Sequence, residues 1–271
     1  MSLDALIFDV DGTLADTEEV HRQAFNAAFL AHRLAWDWSP PLYGELLRVT
    51  GGKERIGRYL NSLRLPPAET ERLRHLVPLI HGTKTEVFAE LVEMGNVPLR
   101  PGVARLIAEA RAAGVRLAIA STTTPDNVKS LLTRTLGLSA LSWFSVISTG
   151  DVVPNKKPAP DIYRHALASL RLPPERSVAF EDSELGVRAA KAAGLYTVAV
   201  PTRWTAAQDL GAADLLLPSL GDPDKPLDAA AERRIGAKWL GLRELMALHS
   251  ARPAPRDPSR RPGREEDHDA Y

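Results

Sequence analysis

The sequence predicts an α/β fold, a doubly wound, Rossmann-like parallel sheet that carries an inserted α-helical cap. Three observations support this. Short, fully apolar runs recur between stretches of helical length, the pattern of buried parallel strands joined by crossover helices. One long stretch, from about Asp16 to Asn96, holds no convincing strand, and its apolar residues recur at helical spacing. Acidic and hydroxyl residues stand directly after several apolar runs, at the sheet end where open α/β folds hold ligands.

The elements follow in order. Strands are expected at Ala5 to Phe8, Val115 to Ala120, Phe144 to Ile147, Ser177 to Phe180, Thr197 to Val200 and Leu215 to Leu217. Crossover helices are expected at Val103 to Ala113, Asp161 to Leu170 and Leu185 to Ala193, with Gly114 and Gly194 as C-terminal caps. Within the insert, Ala24, Phe25, Ala28, Phe29 and Ala31 mark one amphipathic helix, and Ile56 to Leu63 and Glu86 to Met94 mark two more. A chain of 271 residues suits one large domain with an insertion, or two domains. The expected division is a core of residues 1–15 and 97–249, a cap of 16–96 and a tail of 250–271. That tail holds four prolines and no Val, Ile, Leu, Met or Phe, so it cannot repay the entropy of ordering and is expected to be disordered.

Composition narrows the function classes. Hydrophobic residues make up 44% and charged residues 25%, and no apolar run approaches a membrane span, so no membrane partner is expected. The net charge is zero, which removes the broad attraction that sequence-independent nucleic-acid binding needs. Without cysteine there is no disulfide, thiolate metal site or cysteine nucleophile. The first strand follows Met1 to Leu3 at once and leaves no room for a leader, so a cytoplasmic location is expected. Protein partners and oligomeric state cannot be read from these features.

Four motifs carry chemistry. Asp9-Val10-Asp11-Gly12-Thr13 ends the first strand, and two carboxylates followed by glycine suit a turn that wraps a cation. An EF-hand loop is excluded, because Thr13, Leu14 and Val20 occupy its fifth, sixth and twelfth positions. Ser121, Thr122, Thr123 and Thr124 follow the second strand and suit phosphate oxygens near a helix start, whereas an ordinary N-cap needs only one hydroxyl. Lys156-Lys157-Pro158 offers a lysine to neutralise phosphate, with Pro158 expected in the first turn of a helix. Glu181-Asp182-Ser183 places two acids at the mouth of the fourth strand.

Taken together, Asp9-Val-Asp11-Gly-Thr13, Ser121, Lys157-Pro158 and Glu181-Asp182, each after an apolar strand, resemble the haloacid dehalogenase-like hydrolase superfamily over residues 4 to about 218. The helical insert after the first motif resembles the cap of the β-phosphoglucomutase-like branch. Ala15 to His21, Thr50 to Arg55 and Leu99 to Gly102 most resemble the CbbY-type sugar phosphatases. Those act on xylulose 1,5-bisphosphate, a misfire product that inhibits Rubisco. The resemblance implies a phosphorylated sugar as substrate and Mg2+ as cofactor, held by the Asp9 carboxylate, the Asp11 backbone carbonyl and the Asp182 carboxylate, with Glu181 ligating through water or orienting the site. It implies Asp9 as nucleophile, Asp11 as acid and base, and Ser121 and Lys157 as holders of the phosphoryl group.

Chemistry supports that assignment. A carboxylate is ionised at neutral pH and needs no base to attack phosphorus, but a phosphate dianion repels it unless a cation draws them together. With Asp9, Glu181 and Asp182 ionised and Asp11 protonated, magnesium and Lys157 balance the site before substrate arrives. Substrate charge must then be met by cap cations, and the candidates are Lys53, Arg55 and Arg100. Thr17, His21, Gly52 and Thr122 complete the expected substrate contacts. Gly51-Gly52-Lys53 is not a nucleotide P-loop, because the leading glycine is missing and Glu54 replaces the Ser or Thr. A phosphomutase, a phosphoglycolate phosphatase and a binding protein on an inactive scaffold are the rival readings.

Overall fold

The computed structural model of the chain describes residues 2–95 and 97–251. A central sheet has six strands: β1 (Ala5–Phe8), β2 (Arg116–Ala120), β3 (Phe144–Ser148), β4 (Ser177–Glu181), β5 (Tyr196–Ala199) and β6 (Leu215–Leu216). Every pairing is parallel, and the spatial order is β3-β2-β1-β4-β5-β6. The chain therefore winds outward from β1 to β3, returns to the other side of β1, and winds outward again. The reversal opens a crevice beyond the carboxyl end of β1, the usual ligand position in such sheets.

Strand burial explains the sequence pattern. In β1, Leu6 and Phe8 face one layer with Leu117, Ile119, Val178 and Phe180, while Ala5 and Ile7 face the other. The rings of Phe8 and Phe180 stack with centroids 4.6 Å apart. On the second face Ala118, Ala120 and Ala179 are small, which lets the helices at Asp161–Leu170 and Glu184–Ala192 approach closely. Both faces are covered, so the strands read as continuous apolar runs and show no alternation.

Between β1 and β2 lie five helices: α1 (Glu18–Ala31), α2 (Pro40–Leu46), α3 (Gly52–Ser62), α4 (Pro67–Met94) and α5 (Val103–Ala112). The first four form the helical cap, with its own core of Phe25, Phe29, Trp38, Tyr43, Ile56 and Ile80. Each large buried side chain of this kind contributes roughly 1.5–3 kcal/mol. The two strands of chain that join this insert to the core meet in an antiparallel bridge between Ala15 and Leu99. The sheet half continues with α6 (Pro125–Leu136), α7 (Asp161–Leu170), α8 (Glu184–Ala192), α9 (Ala229–Ile235) and α10 (Leu242–Ser250).

The expected Glu86 to Met94 helix is the last third of α4, which runs 28 residues and contains Pro78. Pro78 removes one helical hydrogen bond, and packing of α4 against α1 and α3 carries the helix through it. Pro158 is also placed differently: the Lys157–Pro158 peptide is cis and precedes α7, so Pro158 is not in a helical first turn. Gly114 and Gly194 follow α5 and α8 with φ of 72° and 84°, as C-terminal caps require. Ser250 closes α10, and the rest of the expected tail beyond Ala251 lies outside the described residues. No helix among the described residues is long and apolar enough to cross a membrane.

Candidate active site

Strand ends deliver the acids. Beyond Phe8 the ladder continues for one residue, since the Asp9 amide donates to the Phe180 carbonyl at 3.0 Å. The chain then turns, with the Gly12 amide donating to the Ala15 carbonyl at 2.8 Å. Gly12 has φ of 84°, and a Cβ there would overlap the Asp182 carboxylate, so both backbone conformation and close approach demand glycine. On the adjacent strand Glu181 ends β4, Asp182 follows, and the Ser183 hydroxyl caps α8. Gly186, in the first turn of α8, leaves room for the Glu181 carboxylate.

Asp9, Glu181 and Asp182 are buried, and each offers an oxygen within 4.8 Å of the others'. Lys157 Nζ lies between two of them, 2.6 Å from Asp9 Oδ1 and 2.5 Å from Glu181 Oε1. The Tyr163 hydroxyl donates to the same Glu181 oxygen at 2.5 Å. Burial pushes the Asp9 carboxyl up to about 7 against the pull of Lys157, with Glu181 adding to the rise. Burial, with the Asp9 and Glu181 charges, also holds Asp182 well above the usual carboxylate range. Burial alone would lower Lys157, but Asp9 and Glu181 outweigh it and hold the ammonium above its ordinary value. Two of the three buried carboxylates thus share one ammonium, which does not reach Asp182, and Glu181 Oε2 is buried with no hydrogen-bond partner. An all-oxygen donor set short of positive charge fits a hard divalent cation.

A second cluster surrounds Asp11. The Thr17 hydroxyl donates to Asp11 Oδ1 at 2.6 Å, and His21 Nε2 lies 2.8 Å from the same oxygen. On the far side of the ring, Lys84 Nζ is 2.6 Å from His21 Nδ1. An ammonium can only donate, so Nδ1 accepts and Nε2 carries the proton given to Asp11. Burial would raise Asp11, but His21, Thr17 and Lys84 outweigh it and hold the carboxyl far below the usual range. Lys84 is only 4% exposed, sits over the rings of Phe25 and Phe88, and is lowered by burial to about 7. This departs from the expected charge count: the partners of Asp11 favour its ionised form, and Lys84 is the basic group behind His21.

The hydroxyl cluster divides its work. Thr124 accepts from the Asn127 amide and caps α6, Thr123 accepts from the Asn127 side chain at 2.9 Å, and Ser121 and Thr122 line the cleft. From the cap, His21, Gly52, Lys53 and Arg55 line the same cleft opposite Asp9, Asp11, Lys157 and Asp182. The Thr50 hydroxyl donates to the Lys157 carbonyl, and Lys156 pairs with Glu54 at 2.9 Å, so the α3 end of the cap rests on the core beside the acids. Arg55 donates to the Tyr43 hydroxyl at 3.0 Å, which in turn donates to Glu18 at 2.7 Å.

Arg100 stands apart from this cleft. Its guanidinium donates to the carbonyls of Gly12, Val200, Pro201 and Pro218, all backbone, and it does not line the site. The expectation that it contacts substrate is corrected: its donors are spent pinning the Gly12 turn to the ends of two strands.

Lys84, Tyr163, Thr205 and His81 are site residues that sequence reasoning missed. Lys84 lies in the continuous polar run His81-Gly82-Thr83-Lys84-Thr85-Glu86, where a solvated lysine is the ordinary reading. Only its packing against His21 sets it apart. Tyr163 did carry a signal, since it lies six residues after Lys157, on the face of α7 turned to the sheet.

Residues 3–194 match the haloacid dehalogenase-like hydrolase family, and the chain belongs to it. It is an enzyme, a phosphoric monoester hydrolase of the sugar-phosphate phosphatase class. Its relatives are close. Protein CbbY of Rhodobacter capsulatus is 50% identical over 220 residues, covering 81% of this chain and 95% of that one. The crystal structure of CbbY from Rhodobacter sphaeroides in complex with phosphate matches with TM-score 0.74 and 49% identity, over 80% of this chain and 94% of that one. A mutant of that protein in complex with xylulose-(1,5)bisphosphate matches equally, at 48% identity.

Proposed function

We propose that the chain is a magnesium-dependent phosphatase that converts xylulose 1,5-bisphosphate to xylulose 5-phosphate, relieving inhibition of Rubisco in the Calvin cycle. The observation that carries this reading is the buried set Asp9, Glu181 and Asp182 with Lys157, facing cap cations across one cleft. The bisphosphate complex of the Rhodobacter sphaeroides protein supports the substrate.

Magnesium, held by the Asp9 and Asp182 carboxylates and the Asp11 carbonyl with Glu181 behind, would supply the two positive charges that keep these acids ionised and draw the phosphate dianion in. Asp9 Oδ attacks phosphorus, the bond to the sugar oxygen breaks, and a phosphoryl group remains on Asp9. Asp11 delivers the proton that the departing sugar oxygen takes. Since Asp11 rests ionised, that proton is supplied along its hydrogen bond to His21, and Lys84 replaces it at Nδ1. Asp11 then accepts a proton from the water that attacks phosphorus and releases phosphate. Ser121, Thr122 and Lys157 hold the transferring group, while Lys53 and Arg55 meet the second phosphate from the cap.

Phosphate release from xylulose 1,5-bisphosphate, ribulose 1,5-bisphosphate, phosphoglycolate and β-glucose 1-phosphate, compared by kcat/KM, tests this reading. Xylulose 1,5-bisphosphate should lead by at least about tenfold. Preference for phosphoglycolate, or conversion of glucose 1-phosphate to an isomeric phosphate without release, would overturn it.

A further inference from the structure

We propose that Thr205 is a positioning residue for Asp182, and that the turn holding Thr205 is steadied by the cap through Trp204. The inference rests on the metal reading above and extends it to a loop that none of the four motifs includes.

The turn follows β5. The Thr205 hydroxyl oxygen accepts the Thr202 amide at 2.9 Å, and the Trp204 amide donates to the Thr202 hydroxyl at 3.1 Å. The Thr205 hydroxyl donates to Asp182 Oδ2 at 3.2 Å, and the Thr202 hydroxyl, 3.3 Å from Thr205 Oγ1, can then donate to it in turn. Thr202, Thr205 and Asp182 are all buried, so this hydroxyl is not replaced by solvent. The same Oδ2 abuts Gly12, where a Cβ would overlap it and no side chain fits. Asp182 is thereby held at Oδ2 by the glycine turn and the hydroxyl, with Oδ1 left for a cation.

The neighbouring residue reaches the cap. The Trp204 ring meets Tyr43 of α2 edge-on, with centroids 5.5 Å apart, and packs into the cap core. Arg203 lies 3.5 Å from Glu19 of α1. Adjacent residues of one short turn therefore touch the cap and Asp182. If the cap contact is lost, the turn gains freedom, and the Thr205 hydroxyl orders Asp182 less well. Preorganised ligands bind more tightly than mobile ones because less entropy is lost on binding.

Calorimetric titration with magnesium chloride tests the proposal on the full chain, with thermal melts checking each variant's fold. Wild type should bind and Asp182→Asn should not. Thr205→Val should weaken binding about tenfold, the worth of one hydrogen bond to a charged group. Thr205→Ser should stay within about twofold of wild type, because the hydroxyl is kept. Trp204→Ala should weaken magnesium binding, and the double variant should be no worse than Thr205→Val, since Trp204 acts through Thr205. Wild-type affinity in Thr205→Val, or fully multiplicative losses in the double variant, would overturn the inference while leaving the metal reading intact. Absence of binding to wild type would overturn both. Should Thr205→Val fail to fold, wild-type affinity in Trp204→Ala refutes the coupling by itself.

Discussion

Two acids two residues apart do opposite work because their surroundings differ. Asp9 is pushed up by burial and shares Lys157 with Glu181, so it has need of a further cation. Asp11 accepts from Thr17 and His21 and stays ionised without one. Asp11→Asn keeps both the size and the backbone carbonyl, so folding and magnesium binding should persist while kcat falls by roughly 10²–10⁴ or more. Normal turnover in that variant would remove Asp11 from proton transfer. Lys84 gives a pH signature. Its folded pKa of about 7 lies below the ordinary value of 10.5, so between these limits the unfolded chain binds a proton that the fold does not. The cost of charging it in the fold is fully present below about pH 7 and is relieved as pH rises towards 10.5. Lys84→Met should therefore gain stability relative to wild type most at pH 7 and least near pH 10, as read from urea denaturation curves. A difference independent of pH would show that Lys84 is not depressed.

Secondary elements act as carriers whose ends matter most. β1 and β4 are adjacent and in register, with Phe8 beside Phe180, and the residues after them, Asp9 and Glu181, therefore come out side by side. The start of α3 has the same function for the cap. Gly51 has φ of 91°, and a Cβ on Gly52 would overlap the His81 ring, so the two glycines let Lys53 and Arg55 face the cleft. Gly52→Ala should push this first turn away from His81 of α4 and raise KM several-fold with a smaller effect on kcat. An unchanged KM would place the loop outside substrate binding. Arg100 is a carrier of another kind, since a half-buried guanidinium satisfying four carbonyls fixes where the first motif's turn sits.

Across the whole molecule, the core gathers negative charge and the cap brings positive charge to it, so a dication and a phosphorylated ligand each complete something the fold leaves open. Magnesium chloride should raise the Tm, by about 2.7 kcal/mol of added stability at a hundredfold excess over Kd, and EDTA should reverse it. An unmoved Tm would mean that the acids bind no magnesium. Much of this was legible in the sequence. The six strands, the helices α5, α7 and α8, and Asp9, Asp11, Ser121, Lys157, Glu181 and Asp182 could be read because buried parallel strands are uniformly apolar and the chemistry sits at their ends, whereas α9 and α10 were not read. The cap was less legible. Its helices are amphipathic and partly exposed, so a lysine that packs against His21 and one that faces water look alike in one dimension. Arg100 and Lys84 show the limit most clearly. One had the charge to meet a phosphate but is spent on backbone carbonyls, and the other had no distinguishing neighbour but lies at the centre of the Asp11 network. Local sequence determined which residues could do the chemistry, because their types and strand-end positions are local properties. Tertiary structure alone decided which cations face the cleft and how each acid is charged, because burial and partners come from segments distant in sequence.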